Sequence, residues 1–211
     1  MVDTILVRLT FPIAAVGLTL VAEERGWGNL NVIEVPGWVG FIVSVIIFDF
    51  VIYLQHILFH AVPALWRLHR MHHADLDFDV TTGLRFHPIE IVLSMGIKLA
   101  LVLVLGPPAA AVLVFEVILN GTAMFNHSYI RIPIGLDRML RWVVVTPDMH
   151  RVHHSVIPQE TNSNFGFNVP WWDRLFRTYR TRRELWLDRM LIQPLFGKAG
   201  NYPIARQARR K

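Results

Sequence analysis

The 211-residue sequence contains no cysteine, which removes a disulfide framework, a thiolate metal site and a cysteine nucleophile together. Charge is scarce as well. Only 18% of the residues are charged and 53% are hydrophobic, whereas a soluble domain carries about 25% charged residues. With a mean hydropathy of +0.39, the chain reads as a small bundle of membrane helices with a polar cap. Histidine is missing from both ends, all ten lying between His56 and His154. HExxH and paired Glu-x-x-His motifs are also absent, which argues against a zinc protease or a ferritin-like site.

The net charge of +5 could suggest nucleic acid, but its placement argues otherwise. Every Lys and Arg except Arg8, Arg25 and Lys98 falls in 60–90 or 126–211, while 23–36 carries Glu23, Glu24 and Glu34 against Arg25 alone. This is the positive-inside asymmetry of a membrane protein. It puts both histidine-bearing polar regions on the cytoplasmic side and leaves no nucleic-acid partner to expect.

The fold class expected is a single all-α integral membrane domain of about four transmembrane or re-entrant helices. The apolar runs are 5–22, 37–59, 91–105 and 109–125, with a cytoplasmic helical cap from 60–90 and 126–211. The first run has no A-x-A cleavage site and reads as a retained helix rather than a signal peptide. Gly106-Pro107-Pro108 ends the third run and opens the fourth, since proline cannot continue a helix but is accepted in the first turn of the next. The segment "NVPWWDRLFRTYRTRRELWLDRML" mixes aromatic and aliphatic residues with arginine, as a segment on the headgroups would.

Two charges interrupt the apolar runs. Lys98 and Glu116 each lie nine residues from Pro107, so in an antiparallel hairpin they reach equal depth, ~13 Å from the turn. They are expected to pair, because a lone charge near the bilayer centre costs about 2.5 to 3.5 kcal/mol on insertion scales. The alternative is that Lys98 faces Asp49 while Glu116 lines a substrate route.

The histidines come in patterns. His56 and His60 are four apart; His69, His72 and His73 stand at i, i+3 and i+4; His150, His153 and His154 repeat that triplet. On helices each set shares a face, and neutral imidazole is the commonest protein metal ligand. Eight to ten imidazoles suffice for two metals. An all-nitrogen set suits Fe, Zn, Cu or Ni and excludes Mg and Ca. His87 and His127 are isolated, and spacing alone leaves each of them open between ligand and hydrogen-bonded core residue. Asp75, Asp77, Asp79, Asp148 and Glu90 are candidates to accept the second ring N–H of a ligating histidine, and Asn164 to hydrogen-bond near the site.

"HILFH", "LHRMHH", "DFDVTTGLRFHPIE", "TPDMHRVHHS" and "TNSNFGFNVPWWDRLFRTY" together resemble the fatty acid hydroxylase and sterol desaturase superfamily, over roughly residues 45 to 180. The resemblance implies two Fe ions at the cytoplasmic face of a bacterial inner membrane or endoplasmic reticulum, with Zn able to substitute in purified protein. It implies O2 as oxidant and a membrane lipid as substrate, hydroxylated or desaturated at an unactivated C–H. By the same resemblance the three boxes are His56 and His60; His69, His72 and His73; and His150, His153 and His154, with His87 and His127 as additional ligands. No cytochrome b5-like domain is fused, so a separate ferredoxin- or cytochrome b5-like electron donor is expected. A non-redox di-zinc protein would keep the same spacings; a haem protein would also use paired histidines, but the doubled HxxHH favours a non-haem dimetal site.

Overall fold

A computed structural model describes residues 2–74 and 78–181, with side chains from residue 13 onward. Asp75 and Asp77, the first methionine and residues 182–211 lie outside the described residues, and with them most of the arginine-rich half of the proposed headgroup segment. The described residues form helices and no strand. In chain order these are α1 (Val2–Glu24), α2 (Asn29–Val32), α3 (Gly37–Ala61), α4 (Pro63–His73), a 3-10 turn at Thr82–Leu84, α5 (Pro88–Leu105) and α6 (Ala109–Asn126). Four short helices follow: α7 (Ile134–Leu140), α8 (Pro147–His153), α9 (Pro158–Thr161) and α10 (Trp171–Leu175).

Among the described residues three helices, α3, α5 and α6, are long and apolar enough to cross a membrane. At 18 residues each, α5 and α6 extend about 27 Å, near the hydrocarbon thickness. The third span starts at Pro88, three residues before the expected boundary, because "HPIE" is a helix start: His87 is the N-cap, Pro88 occupies N1, and Glu90 lies in the first turn. The hairpin turn follows the proline logic. Gly106 closes α5 in the left-handed conformation at φ 63°, and Pro108 caps α6.

Helix α1 packs on α5 and α6, and α3 packs on α4, α5 and α6. The core between them is Ala15, Phe48, Ile52, Val102, Leu105, Val112 and Phe115, with the Phe48 and Phe115 rings 5.1 Å apart. Outward-facing positions are apolar too, including Ile42, Ile46, Leu103, Val104 and Val117, as helices surrounded by lipid require. Thr19 and Ser44 are buried, and each donates to the carbonyl four residues back, so neither leaves an unpaired hydroxyl.

The far end of the hairpin is locked by backbone contact. A Cβ on Gly28 would stand 2.2 Å from the Gly106 nitrogen, and one on Gly106 would stand 2.6 Å from the Trp27 carbonyl. Only glycine permits this approach at either place. The turn between α1 and α2 therefore seats on the α5–α6 turn. Lys98 donates to Glu116 across the hairpin, as the depth argument requires, and Asp49 accepts instead from Trp172 Nε1 at 2.6 Å.

Candidate metal centre

The C-terminal end of α3, the N-terminal end of α5 and the C-terminal end of α6 meet α4 and α8 at the histidines. Val62 is extended and Pro63 starts a new helix, so the chain turns between His60 and the first triplet. Helix α8 begins at Thr146, whose hydroxyl accepts from Met149 N–H, with Pro147 at N1.

Nine imidazoles converge in two groups. His56, His60, His69, His73 and His153 form one; His72, His127, His150 and His154 form the other. In each group, one ring nitrogen per residue lies within 4.8 Å of every other. The groups do not follow the sequence boxes. Helix α4 gives its i, i+4 pair, His69 and His73, to the first group and sends His72 to the second; α8 gives His150 and His154 to the second and sends His153 to the first. At roughly 100° per residue, i+4 lies about 40° to one side of i and i+3 about 60° to the other, so rings on one broad face still point apart. Each triplet thus serves both groups, and the two triplets together supply three of the five rings in the first and three of the four in the second. Writing HxxHH twice achieves this exchange.

Hydrogen bonds fix the ring orientations. Nδ1 of His56, His72, His127 and His153 lies 2.8, 3.0, 2.7 and 2.8 Å from the carbonyl oxygens of Phe165, Thr82, Ala123 and Ser163. A carbonyl only accepts, so each Nδ1 carries the proton and each Nε2 presents a bare lone pair. His69 Nδ1 donates to Glu90 Oε1 at 2.7 Å, and His60 Nδ1 lies 3.3 Å from Asn162 Oδ1. Of the three carboxylate candidates among the described residues, Glu90 alone meets a histidine of the groups. Asp79 instead caps its own turn by accepting from Thr81, and Asp148 pairs with Arg151.

Bare nitrogens face one another. His56 Nε2 and His69 Nε2 are 3.2 Å apart, as are His72 Nε2 and His127 Nε2. With both Nδ1 atoms protonated, neither neutral ring has a proton to place between them. Nε2 of His60, His153 and His154, Nδ1 of His150 and both nitrogens of His73 are buried without a partner among the described residues. Protonation offers no escape. Burial first, and then the neighbouring rings, hold His69, His72, His73, His150, His153 and His154 well below the ordinary imidazole range. Convergent, neutral lone pairs that lack protons are suited to a soft or borderline metal cation.

His87, expected as an additional ligand, stands apart from the other nine. It belongs to neither group; its Nδ1 accepts from Ile89 N–H at 3.2 Å, so the ring is turned to the first turn of its own helix. His127 joins the second group, where Gly83 packs so closely that a Cβ would stand 3.1 Å from its Nδ1.

The last quoted motif builds the scaffold. Asp173 is fully buried and accepts from Phe165 N–H and Gly166 N–H, both at 2.8 Å, and from the Thr178 hydroxyl at 2.6 Å. It holds the loop that offers the Phe165 carbonyl to His56. Asn164, at φ 52°, donates to the Met149 carbonyl at 3.2 Å and accepts from Arg180 N–H at 2.8 Å, tying α8 to this loop. Sequence reasoning gave Asp173 no role, and its only signal was membership of that motif. Phe86 stacks on His72 with centroids 4.2 Å apart, and Phe78 packs on His127 and His154, so aromatic rings shield the second group. Beside His56 and His69 a cavity of ≈ 120 Å³ runs between α3, α5 and α6.

Among known proteins, the chain is 29% identical over 138 residues to an ornithine lipid hydroxylase of Rhizobium tropici, covering 65% of this chain and 41% of that one. It is 29% identical over 162 residues to an alkylglycerol monooxygenase of Xenopus tropicalis, covering 75% and 35%, and 27% identical over 164 residues to that of Homo sapiens, covering 75% and 35%. The chain spans less than half the length of these relatives. No solved structure matches it significantly. The model of the family described as fatty acid hydroxylase matches residues 41–178, a stretch that holds every histidine and the scaffold loop, and the chain belongs to that family.

Proposed function

We propose that the nine grouped histidines hold two iron ions and that the chain hydroxylates an unactivated C–H bond of a membrane lipid. The observation that carries this reading is the pair of all-nitrogen groups, the first of which borders, through His56 and His69, a cavity between apolar spans. When bound, two irons supply the redox chemistry that activates O2, one oxygen atom entering the C–H bond and the other leaving as water after two electrons and two protons are taken up. The electrons come from a separate donor. Hydroxylation is preferred to desaturation because the similar proteins are named as a hydroxylase and as monooxygenases.

The residues of this chain have definite tasks in that reaction. Nδ1–H donors on main-chain carbonyls and on Glu90 aim the opposite nitrogens inward, so the ligand shell is set before metal enters. Phe78, Phe86 and Phe165 keep water from the groups. The cavity, with Ile52, Phe59, Met95 and Leu119 along it, admits a hydrocarbon chain from the bilayer side. The positive-inside charge pattern supports a site on the cytoplasmic side of a bacterial inner membrane or the endoplasmic reticulum.

The test is metal content and O2 uptake of purified protein reconstituted with iron, with mass spectrometry of lipids from membranes that contain or lack the chain. Two irons per chain, reductant-dependent O2 uptake and lipids heavier by one oxygen are expected. Tightly held zinc with no O2 uptake after iron reconstitution would instead support the non-redox di-zinc reading, which an all-imidazole shell also accommodates.

A further inference from the structure

Two short helices of the cap show more apolar surface than contact with water allows. On α7 and the residues after it, Ile134, Met139, Trp142 and Val143 are each more than half exposed, and on α10 so are Trp171 and Leu175. Soluble surfaces rarely gather such large apolar side chains in one patch. The two stretches are bound to each other. Trp171 Nε1 donates to the Trp142 carbonyl at 2.7 Å, Arg174 Nη2 donates to the Arg141 carbonyl at 2.8 Å, and the Arg174 guanidinium lies 4.2 Å from the Trp142 ring centroid. They form one ridge.

Helix α3 sets the level of this ridge. The Phe50 ring lies 4.7 Å from Trp172 and 5.8 Å from Phe176, Tyr53 lies 5.7 Å from Phe176, and Asp49 accepts from Trp172. Phe50 and Tyr53 precede the end of α3 at Ala61 by ~17 and ~12 Å along the helix axis. Helix α10 is therefore packed beside a span and not above it, and its outward side chains continue the lipid-facing surface of the spans. An interfacial helix sinks its apolar side ~5–10 Å into the boundary between headgroups and acyl chains.

The exposed charge on the ridge has one sign. Arg131, Arg138 and Arg177 are exposed, and no carboxylate pairs with them among the described residues. The acids within 129–147 and 170–181 are Asp137 and Asp173 alone. Both are buried, Asp137 against Arg141 and Asp173 against the loop at Phe165. Basic side chains thus rim an apolar face at membrane level, which is the complement of an anionic lipid surface. A soluble protein would meet the arginines but would have to displace acyl chains from that face.

We propose that α7 and α10 form a wedge seated in the leaflet at the histidine end, where its arginines bind the phosphates of anionic phospholipids. The inference stands apart from the oxygenase reading, since it needs neither metal nor substrate. It also ties the site to the bilayer, because α10 carries Asp173 and with it the loop that turns the Phe165 carbonyl to His56.

The experiment uses the full chain, which has no cysteine of its own, in bilayers of equimolar phosphatidylcholine and phosphatidylglycerol. Spin labels at Met139→Cys and Leu175→Cys are expected to collide with dissolved O2 far more than with a water-soluble nickel chelate, and Gln159→Cys on the polar α9 serves as the water-facing reference. Lipid retained through mild detergent extraction is expected to be enriched in phosphatidylglycerol by about fivefold for each guanidinium engaged. Arg131→Gln/Arg138→Gln/Arg177→Gln should bring that ratio back toward the bulk. Either label reached by nickel as readily as Gln159→Cys overturns the wedge and makes the ridge a dock for a soluble protein. Retained lipid that matches the bulk, or an enrichment unchanged by loss of the arginines, also overturns the proposal. The labels are single surface substitutions, so the collision measurement decides even if the triple variant does not fold.

Discussion

Lys98 and Glu116 meet across the α5–α6 hairpin, nine residues on either side of Pro107 and buried together. Removing one partner strands the other in an apolar layer, which costs about 3 to 5 kcal/mol for a buried pair, whereas an apolar double replacement is often near neutral. Lys98→Met is therefore expected to melt well below the native protein in detergent, and Lys98→Met/Glu116→Met to recover most of the difference. Additive losses in this double-mutant cycle would show that the two charges are independently solvated.

The crossed triplets make the two centres separable. His150→Ala/His154→Ala removes half of the second group and none of the first, so the metal count is expected to fall from two per chain to one. His69→Ala/His73→Ala should do the same through the first group. Elemental analysis of iron- or zinc-loaded protein reads the count. If either double variant lost both metals while keeping its helical circular dichroism, the groups would have to share ligands.

Metal-free protein should be sensitive to acid. Six of the grouped histidines outside the spans are held neutral, far below the ~6.5 of an unfolded imidazole. Below pH ~6.5 the unfolded chain takes up protons that the folded chain does not, so stability is full above that pH and is lost as pH falls. Each such ring contributes a slope of about 1.4 kcal/mol per pH unit within that window. Melting at pH 7.5 and 5.5 measures it, and a melting temperature that is flat or rises on acidification would contradict neutral rings.

Topology can be read with single cysteines, since the chain has none. Position 28 is unsuitable because a side chain there collides with Gly106. Ile33 and Tyr129 are 58% and 65% exposed, and they lie on the α1–α3 connection and just beyond the histidine end of α6. An impermeant thiol reagent applied from outside is expected to label Ile33→Cys and spare Tyr129→Cys. The opposite pattern inverts the orientation drawn from the arginines.

The sequence made the hairpin and the ionic pair legible because both depend on local signals: a Gly-Pro-Pro break, run length and symmetrical placement about the turn. It also marked out the boxed histidines, whose helical spacing puts rings on a common face. Spacing does not say which neighbour that face meets. The division of each triplet between two groups depends on how α4 and α8 are set against α3 and α6, a tertiary fact. The place of His87 outside both groups was hidden for a related reason, since an isolated histidine before proline has the same letters whether it caps a helix or turns inward. The acceptors for His56, His72, His127 and His153 were invisible because a main-chain carbonyl has no letter of its own. Asp173 acts at one remove, through the Phe165 and Gly166 amides.

Those main-chain acceptors bear on inheritance. A carboxylate partner is lost with one codon, but Thr82, Ala123, Ser163 and Phe165 serve His72, His127, His153 and His56 through an atom that every residue possesses. Their side chains have other tasks, Phe165 packing on His56 and Ser163 donating to the Glu160 carbonyl, but a replacement that keeps the backbone path keeps the bond to the ring. Selection then acts on the few residues that shape that path, such as Gly83, Gly166 and Asp173, and on the rings themselves. A lineage can rewrite most of its apolar surface for new membranes or new lipids while the same polypeptide oxygens keep the imidazoles aimed.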